Sequence, residues 1–346
     1  METITIKDIA KALNLSTSTV SRALRGSYEI SPETKRLVME YAERMNYRPN
    51  PIALSLKENR SRSIGVIIPE IANNFFSQAI NGIESIAYNR GYHVVISQSQ
   101  ESYEREVVNT HYLSQRRVDG LLVSLSGQST DLEHFKDLQT KGLPIVFFDR
   151  VPQDYITHKI TADNFAGAYQ ATQHLIEQGY RRIAHLTSPA WLSITNERLE
   201  GYKRALMHAG LPIEDSYIKF CSYGGKIAEE VEKVTLDLLH HPNRPDAIFT
   251  AGDRLTAGCM STIRQEGLSI PHDVAIIGFT NLVTANLLNP SLSAVLQPAF
   301  EMGQIATELL IDFIEHPKTV FRFENKKLDT YMVIRDSSSR VPVLSS

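Results

Sequence analysis

The sequence has no apolar run near the ~18 residues that a membrane span needs; its longest pieces, such as Pro144 to Phe148, are of strand length. No membrane partner is therefore expected. The N-terminus sets Glu2, Lys7 and Asp8 among its first apolar residues, which leaves no uninterrupted stretch for a secretory signal and points to the cytoplasm. Cysteine is equally scarce. Cys221 and Cys259 lie far apart and outside any C-x-x-C spacing, so neither a disulfide framework nor a zinc site is expected, and both read as small packed residues. Phosphate loops are missing too: no G-x-G-x-x-G or G-x-x-x-x-G-K-[ST] occurs, and Gly224-Gly225-Lys226 lacks both the upstream Gly and the following Ser/Thr. There is no G-x-S-x-G or H-E-x-x-H, and the adjacent His240-His241 on a helix end face different ways and cannot chelate together. The expectation is a non-enzyme without metal or cofactor.

What is present is ordinary soluble composition, unevenly charged. At 346 residues, 42% hydrophobic and 22% charged, the chain suits two or three domains of roughly 150 residues each. Residues 1–62 carry 11 Lys or Arg against 7 Asp or Glu, whereas the remainder carries 25 against 32. A small basic head thus precedes an acidic body, the asymmetry of a polyanion-binding appendage.

In the head, Ile6, Ile9, Ala10 and Leu13 fall on one stripe of a helix over 6–13, with Thr5 as N-cap and Asp8 completing a capping box. Asn14 suits the positive-φ residue of a tight turn, and Ser16 caps a second helix, 17–24, whose buried stripe is Val20, Ala23 and Leu24. This is a helix-turn-helix. Its second helix leaves Thr17, Ser18, Ser21 and Arg22 outward, where they could read base edges in a major groove or form an ordinary solvated face. Ser31-Pro32-Glu33 opens a third helix with Leu37, Val38, Tyr41, Ala42 and Met45 inward. Tyr47-Arg48-Pro49-Asn50-Pro51 then breaks the pattern, and the helix-compatible piece Ile52 to Lys57 is too short to stand alone in water.

The string Ile6-Lys7-Asp8-Ile9-Ala10, Ser16, Thr19-Val20-Ser21-Arg22, Ser31-Pro32-Glu33-Thr34 and Asn46-Tyr47-Arg48-Pro49-Asn50, leading to Ala53 and Leu56, resembles the lactose-repressor (LacI/GalR) family of bacterial transcription regulators. The resemblance implies a DNA-facing set of Thr5, Ser16, Thr17, Ser18, Thr19, Ser21, Arg22, Ser31, Thr34, Tyr47, Asn50, Ala53, Leu56 and Lys57. It further implies that Pro51 to Lys57 is a hinge helix that orders on operator DNA, Leu56 being the apolar wedge that enters a base step.

From Ser63 onward, short apolar runs (64–69, 92–98, 120–124, 145–149, 183–187, 247–251 and 274–279) alternate with helix-length stretches, and Gly91, Gly142, Gly179, Gly210 and Gly267 punctuate helix ends. This is βαβ organisation, and some 280 residues of it suit two lobes with parallel sheets. Such sheets bind ligands beyond the C-terminal ends of their strands, where Asn73 to Phe76, Asp149-Arg150, Asp253 and Thr280 fall.

The family resemblance extends over this region through Gly65-Val66-Ile67-Ile68-Pro69, Arg117 to Leu121, Arg198 to Tyr202, Ile277-Gly278-Phe279 and Gln297-Pro298. The implied fold class is an all-α helix-turn-helix head plus an α/β periplasmic-binding-protein-like body of two doubly wound parallel-sheet lobes. The implied domains are a head, 1–48; a hinge helix and linker, 49–62; and an effector-binding and dimerisation domain, 63–346. Within the last, lobe one spans about 63–161 and 292–320 and lobe two about 162–291 and 321–346, with the strand near Ser293 to Leu296 returning to lobe one. By resemblance the effector touches Phe75 and Phe76 as a stacking platform, Asp149, Arg198 and Asp253 as polar anchors, Tyr223 as a second aromatic wall, and Thr280. Two departures stand out: Thr280-Asn281 where relatives usually carry an acid, and Asn74 in place of a common proline.

The function implied is a homodimeric regulator, a repressor by type, that binds a near-palindromic operator and is controlled by a small molecule, a sugar or sugar derivative. One rival is a cytoplasmic sugar-sensing module without DNA function, from which the head and the salt dependence of DNA binding would distinguish it. An α/β enzyme is the other, and it lacks a catalytic constellation. The end, Val341 to Ser346, has no heptads, so no coiled-coil tetramer is expected.

Overall fold

The computed structural model describes residues 4–47, 60–316 and 322–340. The chain divides into two units, Met1–Ser61 and Arg62–Ser346. The proposed hinge residues Asn50, Ala53, Leu56 and Lys57, and the terminal Val341 to Ser346, lie outside the described residues.

The head contains α1 (Ile6–Ala12), α2 (Thr17–Leu24) and α3 (Pro32–Arg44). Each start is capped as the sequence requires. Thr5 and Asp8 close a capping box, Ser16 accepts from the Thr19 amide at 3.0 Å, and Ser31 accepts from the Thr34 amide at 3.2 Å. Asn14 turns the chain between α1 and α2 at φ +52°, a conformation that asparagine tolerates. Ile9, Ala10, Val20, Ala23, Val38 and Ala42 form the small core. Leu37 and Met45, expected inside, are 47% and 39% exposed. Two short helices cover only one side of α3, so the positions four apart, Val38 and Ala42, take the buried seam and Leu37 and Met45 fall beyond its edges.

The body holds two six-stranded sheets. The first contains β1 (Ser63–Ile68), β2 (His93–Gln98), β3 (Gly120–Val123), β4 (Ile145–Phe148), β5 (Lys159–Ala162) and β11 (Asn325–Leu328), in the order β11-β5-β4-β3-β1-β2. The second contains β6 (Ile183–Thr187), β7 (Ile218–Phe220), β8 (Ala247–Thr250), β9 (Ala275–Phe279), β10 (Ser293–Leu296) and β12 (Tyr331–Val333), in the order β12-β10-β9-β8-β6-β7. Every pairing is parallel except β10 with β12. The intervening helices are α4 (Asn74–Asn89), α5 (Tyr103–Gln115), α6 (Glu133–Thr140), α7 (Asn164–Glu177), α8 (Ser193–His208), α9 (Ala228–Leu239), α10 (Asp253–Gln265) and α11 (Ala299–Glu315). Their separate apolar clusters cover both faces of each sheet, which is why the central strands are buried along their whole length.

The expected course of the chain between lobes needs correction. Ser293–Leu296 does not return to the first lobe: β10 pairs with β9 and β12 and completes the second sheet. Its small and apolar residues are buried there, and the Ser293 hydroxyl donates to the Arg335 carbonyl at 2.9 Å. The return follows it, since α11 packs on α4 in the first lobe so closely that a methyl group at Gly82 would collide with the Phe300 carbonyl oxygen. Residues 325–328, expected in lobe two, pair as β11 with β5 in the first sheet. The chain crosses to β12 only after them.

Candidate functional site

The head presents the outward face of a helix-turn-helix. Thr17, Ser18 and Arg22 are exposed on α2 and Ser21 is half-buried. Several hydroxyls of the expected set serve the helix starts: Ser16 lies 2.8 Å from both Ser18 and Thr19 Oγ atoms, and Ser31 lies 2.8 Å from that of Thr34. Thr5 is likewise engaged with Asp8. Arg22 forms an ion pair with Glu29 at 3.0 Å, both side chains about half exposed, so its guanidinium can exchange that partner at little cost. Tyr47 is half-buried against the head core, and burial raises its phenol above the usual value. Sequence reasoning passed over Arg25, exposed beside this surface with its Nε donating to the Ser21 carbonyl at 3.1 Å.

In the body, the C-terminal ends of the strands of both lobes converge on a cleft. Its cavity is about 70 Å3. Phe75, Phe76, Asp149, Arg198, Tyr223 and Asp253 all line it, so the structure brings together residues from five separate segments. Phe75 and Phe76 are also core residues, edge-on to each other at 5.2 Å; they offer the cleft a wall and not a free stacking face. Tyr223 is the open aromatic, 41% exposed.

The polar groups are held hard. Arg198 is buried, donates from Nε to Asn164 Oδ1 at 2.9 Å and from Nη1 to the Ala251 carbonyl at 3.0 Å, and stacks over Phe279 with Cζ 3.9 Å from the ring centroid. Burial pulls it down to about 10, against the pull of Asp149, so it stays a cation at neutral pH. Asp149 sits at φ +60° just past β4, where Gln297 Nε2 donates to it at 3.2 Å. Burial raises its carboxyl above the ordinary range, opposed by Arg150 and Arg198. Arg150 pairs with Glu101 at 2.7 Å.

Thr280, expected to touch the effector, does not line the cleft. It is buried behind Asp253, donating its hydroxyl to Asp253 Oδ1 at 2.5 Å, and the Asn281 amide donates to the same oxygen at 3.2 Å. Oδ2 of Asp253 is buried with no hydrogen-bond partner among the described residues. A buried carboxylate oxygen left so is costly, and a ligand hydroxyl or N–H would satisfy it.

Sequence reasoning missed the groups that tie the lobes together. One Nη of Arg254 sits against both carboxylate oxygens of Glu70, and Lys226 donates to the Gln100 carbonyl at 2.7 Å. Gln78 and Asn281 meet across the lobes at 2.9 Å. The signal was available, because Glu70, Gln100 and Glu101 also follow strand ends. Away from the cleft, Cys221 and Cys259 are buried thiols, each pushed up by burial to about 12 and so inert.

A helix-turn-helix head with a two-lobed α/β body closed around a polar and aromatic cleft defines a ligand-responsive DNA-binding regulator. Residues 5–50 match the model described as bacterial regulatory proteins, lacI family, and residues 172–338 match the periplasmic binding protein-like domain. The chain is 34% identical to catabolite control protein A of Priestia megaterium, over 90% of this chain and 92% of that one. It is 33% identical to the ribose operon repressor of Halalkalibacterium halodurans, over 96% and 97%. The solved complex of the transcriptional regulator CelR with cellobiose superposes with a TM-score of 0.72 at 27% identity, covering 96% of this chain and 99% of that one. The chain belongs to the lacI family. It is a DNA-binding transcriptional repressor with a small-molecule effector, not an enzyme. No helix among the described residues is long and apolar enough to cross a membrane.

Proposed function

We propose that the protein acts in the cytoplasm as a homodimer on a near-palindromic operator and that its effector is a carbohydrate bound between the lobes. The observation that carries the ligand class is Asp253, which lines the cleft and whose Oδ1 is held by Thr280 and Asn281 while Oδ2 is buried without a partner among the described residues. A fixed acceptor with an adjacent buried arginine and aromatic walls suits a molecule with paired hydroxyls and CH faces. Thr280 thus takes over the role of the expected strand-end acid indirectly, by orienting Asp253. The solved neighbour's cellobiose and the ribose operon relative support the same class.

The same reading includes coupling between the cleft and operator binding. The lobes are bridged by the Arg254–Glu70 pair, the Lys226–Gln100 bond and the Gln78–Asn281 contact, which an entering sugar must loosen to make room. Two lobe arrangements with different ligand affinity bias the paired hinge segments, and hence operator binding. One helix-turn-helix reads too few base pairs alone, so a dimer on two half-sites supplies the specificity.

The test is a thermal-shift screen of sugars and sugar phosphates, with each hit carried into an operator titration. A stabilising sugar that changes operator affinity is expected; a full panel without a hit would sink the carbohydrate reading. In the same titrations Leu56→Ala should weaken operator binding and leave effector affinity unchanged, and Arg22→Ala should relax base preference at one position per half-site. Steep loss of operator binding with added salt separates this reading from a sensing module without DNA function.

A further inference from the structure

A second cavity, about 280 Å3 and four times the size of the cleft, opens beside it. Its walls come from both lobes: Lys136, Pro152, Gln153 and Asp154 from the first, and Trp191, the sole tryptophan of the chain, from the second. The cavity and the cleft share Arg150. The guanidinium gives Nη1 to Glu101 at 2.7 Å, while its Nε is buried without a hydrogen-bond partner among the described residues. On the second-lobe side, Ser193 lines the cavity and the adjacent Ile194 lines the cleft. The Ser193 hydroxyl donates across the lobes to the Val151 carbonyl at 3.2 Å. Lobe separation would break this bond along with the Arg254–Glu70, Lys226–Gln100 and Gln78–Asn281 contacts.

We infer that the Trp191 cavity is a second subsite that takes the outer ring of a disaccharide, so that the effector is selected by its length. This rests on the carbohydrate reading of the cleft. The indole is 41% exposed within a concave site, an uncovered apolar face of the kind that packs against the CH face of a pyranose. Gln153 and Asp154 are exposed at the rim and can bond the hydroxyls that ring presents. Arg150, which lines both spaces, holds a buried Nε–H without a hydrogen-bond partner among the described residues, a donor that an acceptor between the two rings would satisfy once the lobes part. A monosaccharide fills the cleft alone and leaves the indole and this donor as they are.

Because Trp191 is the only tryptophan, its emission reports on this cavity directly. Cellobiose, lactose, maltose and sucrose are titrated beside glucose, galactose and ribose, by intrinsic fluorescence and by calorimetry. At least one disaccharide is expected to shift the emission and to bind about tenfold tighter than its component monosaccharides. Trp191→Ala should abolish that preference while leaving monosaccharide affinity within about twofold, and Trp191→Phe should keep most of it. The subsite is overturned, with the cleft reading intact, if monosaccharides bind as tightly as disaccharides or if Trp191→Ala leaves the preference unchanged. Absence of binding by every sugar of either size overturns both.

Discussion

Strands β4 and β9 hold corresponding places in the two sheets, yet β4 ends on the buried acid Asp149 and β9 on Thr280. Topology fixes where functional groups emerge, at the C-terminal strand ends, without fixing which groups they are. The second lobe moves its acid to the first residue of α10, Asp253, and uses the strand-end hydroxyl to hold one oxygen. The inner strands differ in the same way. β1 carries only Ser, Gly and aliphatic residues, whereas β6 carries His185, buried and stacked between Tyr202 and Phe249.

That histidine gives the largest expected difference between the lobes. Burial pushes His185 down to about 3 from 6.5, so the folded chain refuses a proton that the unfolded chain accepts. The stability this contributes is present above pH 6.5 and is lost as pH falls toward 3, up to about 5 kcal/mol. His185→Val, which makes β6 resemble β1, should flatten the dependence of unfolding free energy on pH across that window, whatever it does to stability at neutral pH. An unchanged pH slope in denaturant titrations would remove His185 as the cause.

Arg198→Ala comes next. It strips buried partners from Asn164, Gln297 and Asp149 and should cost about 3 kcal/mol in denaturant unfolding at neutral pH. Arg198→Lys should recover little of this, since an ammonium cannot reach several acceptors from one plane or cover the Phe279 ring. Thr280→Val tests the relocated acid: loss of its donor to Asp253 should lower effector affinity about tenfold in calorimetry. Wild-type affinity in that variant would mean the hydroxyl does not orient Asp253.

Asp149 gives the smallest effect and the opposite sign to a surface carboxylate. Burial holds its pKa up, so its contribution to stability is fully present below the ordinary carboxyl value and is lost as pH rises through the folded value. Asp149→Asn should therefore raise the melting temperature slightly at neutral pH, with no gain in acid, while weakening effector binding. A lower melting temperature at neutral pH would show that Arg150 and Arg198 outweigh the burial.

The head was legible because its signals are local. Capping residues three apart, Asn14 in the turn and a helical stripe each act within one or two turns of chain, and the strand-end rule located six cleft residues before any contact was known. What could not be read depends on partners distant in sequence. The Glu70–Arg254 bridge joins residues 184 positions apart; the strand end marks Glu70 as facing the cleft, but nothing local pairs it with Arg254. Likewise Ser293–Leu296 is an apolar run that fits either sheet; only its pairing with β9 and β12 decides the lobe. Thr280 was recognised as unusual, but its service to Asp253 needed the 2.5 Å contact to be seen.

The most direct measurement is operator affinity, by titration of labelled DNA with and without a saturating sugar identified by thermal shift, in wild type and in Asp253→Asn. The predicted result is a change of about tenfold or more in the wild type, the range of ordinary coupling energies, and none in the variant at the same sugar concentration. Unchanged operator affinity in the wild type with the sugar bound, or an undiminished response in Asp253→Asn, would contradict the coupling of this cleft to DNA.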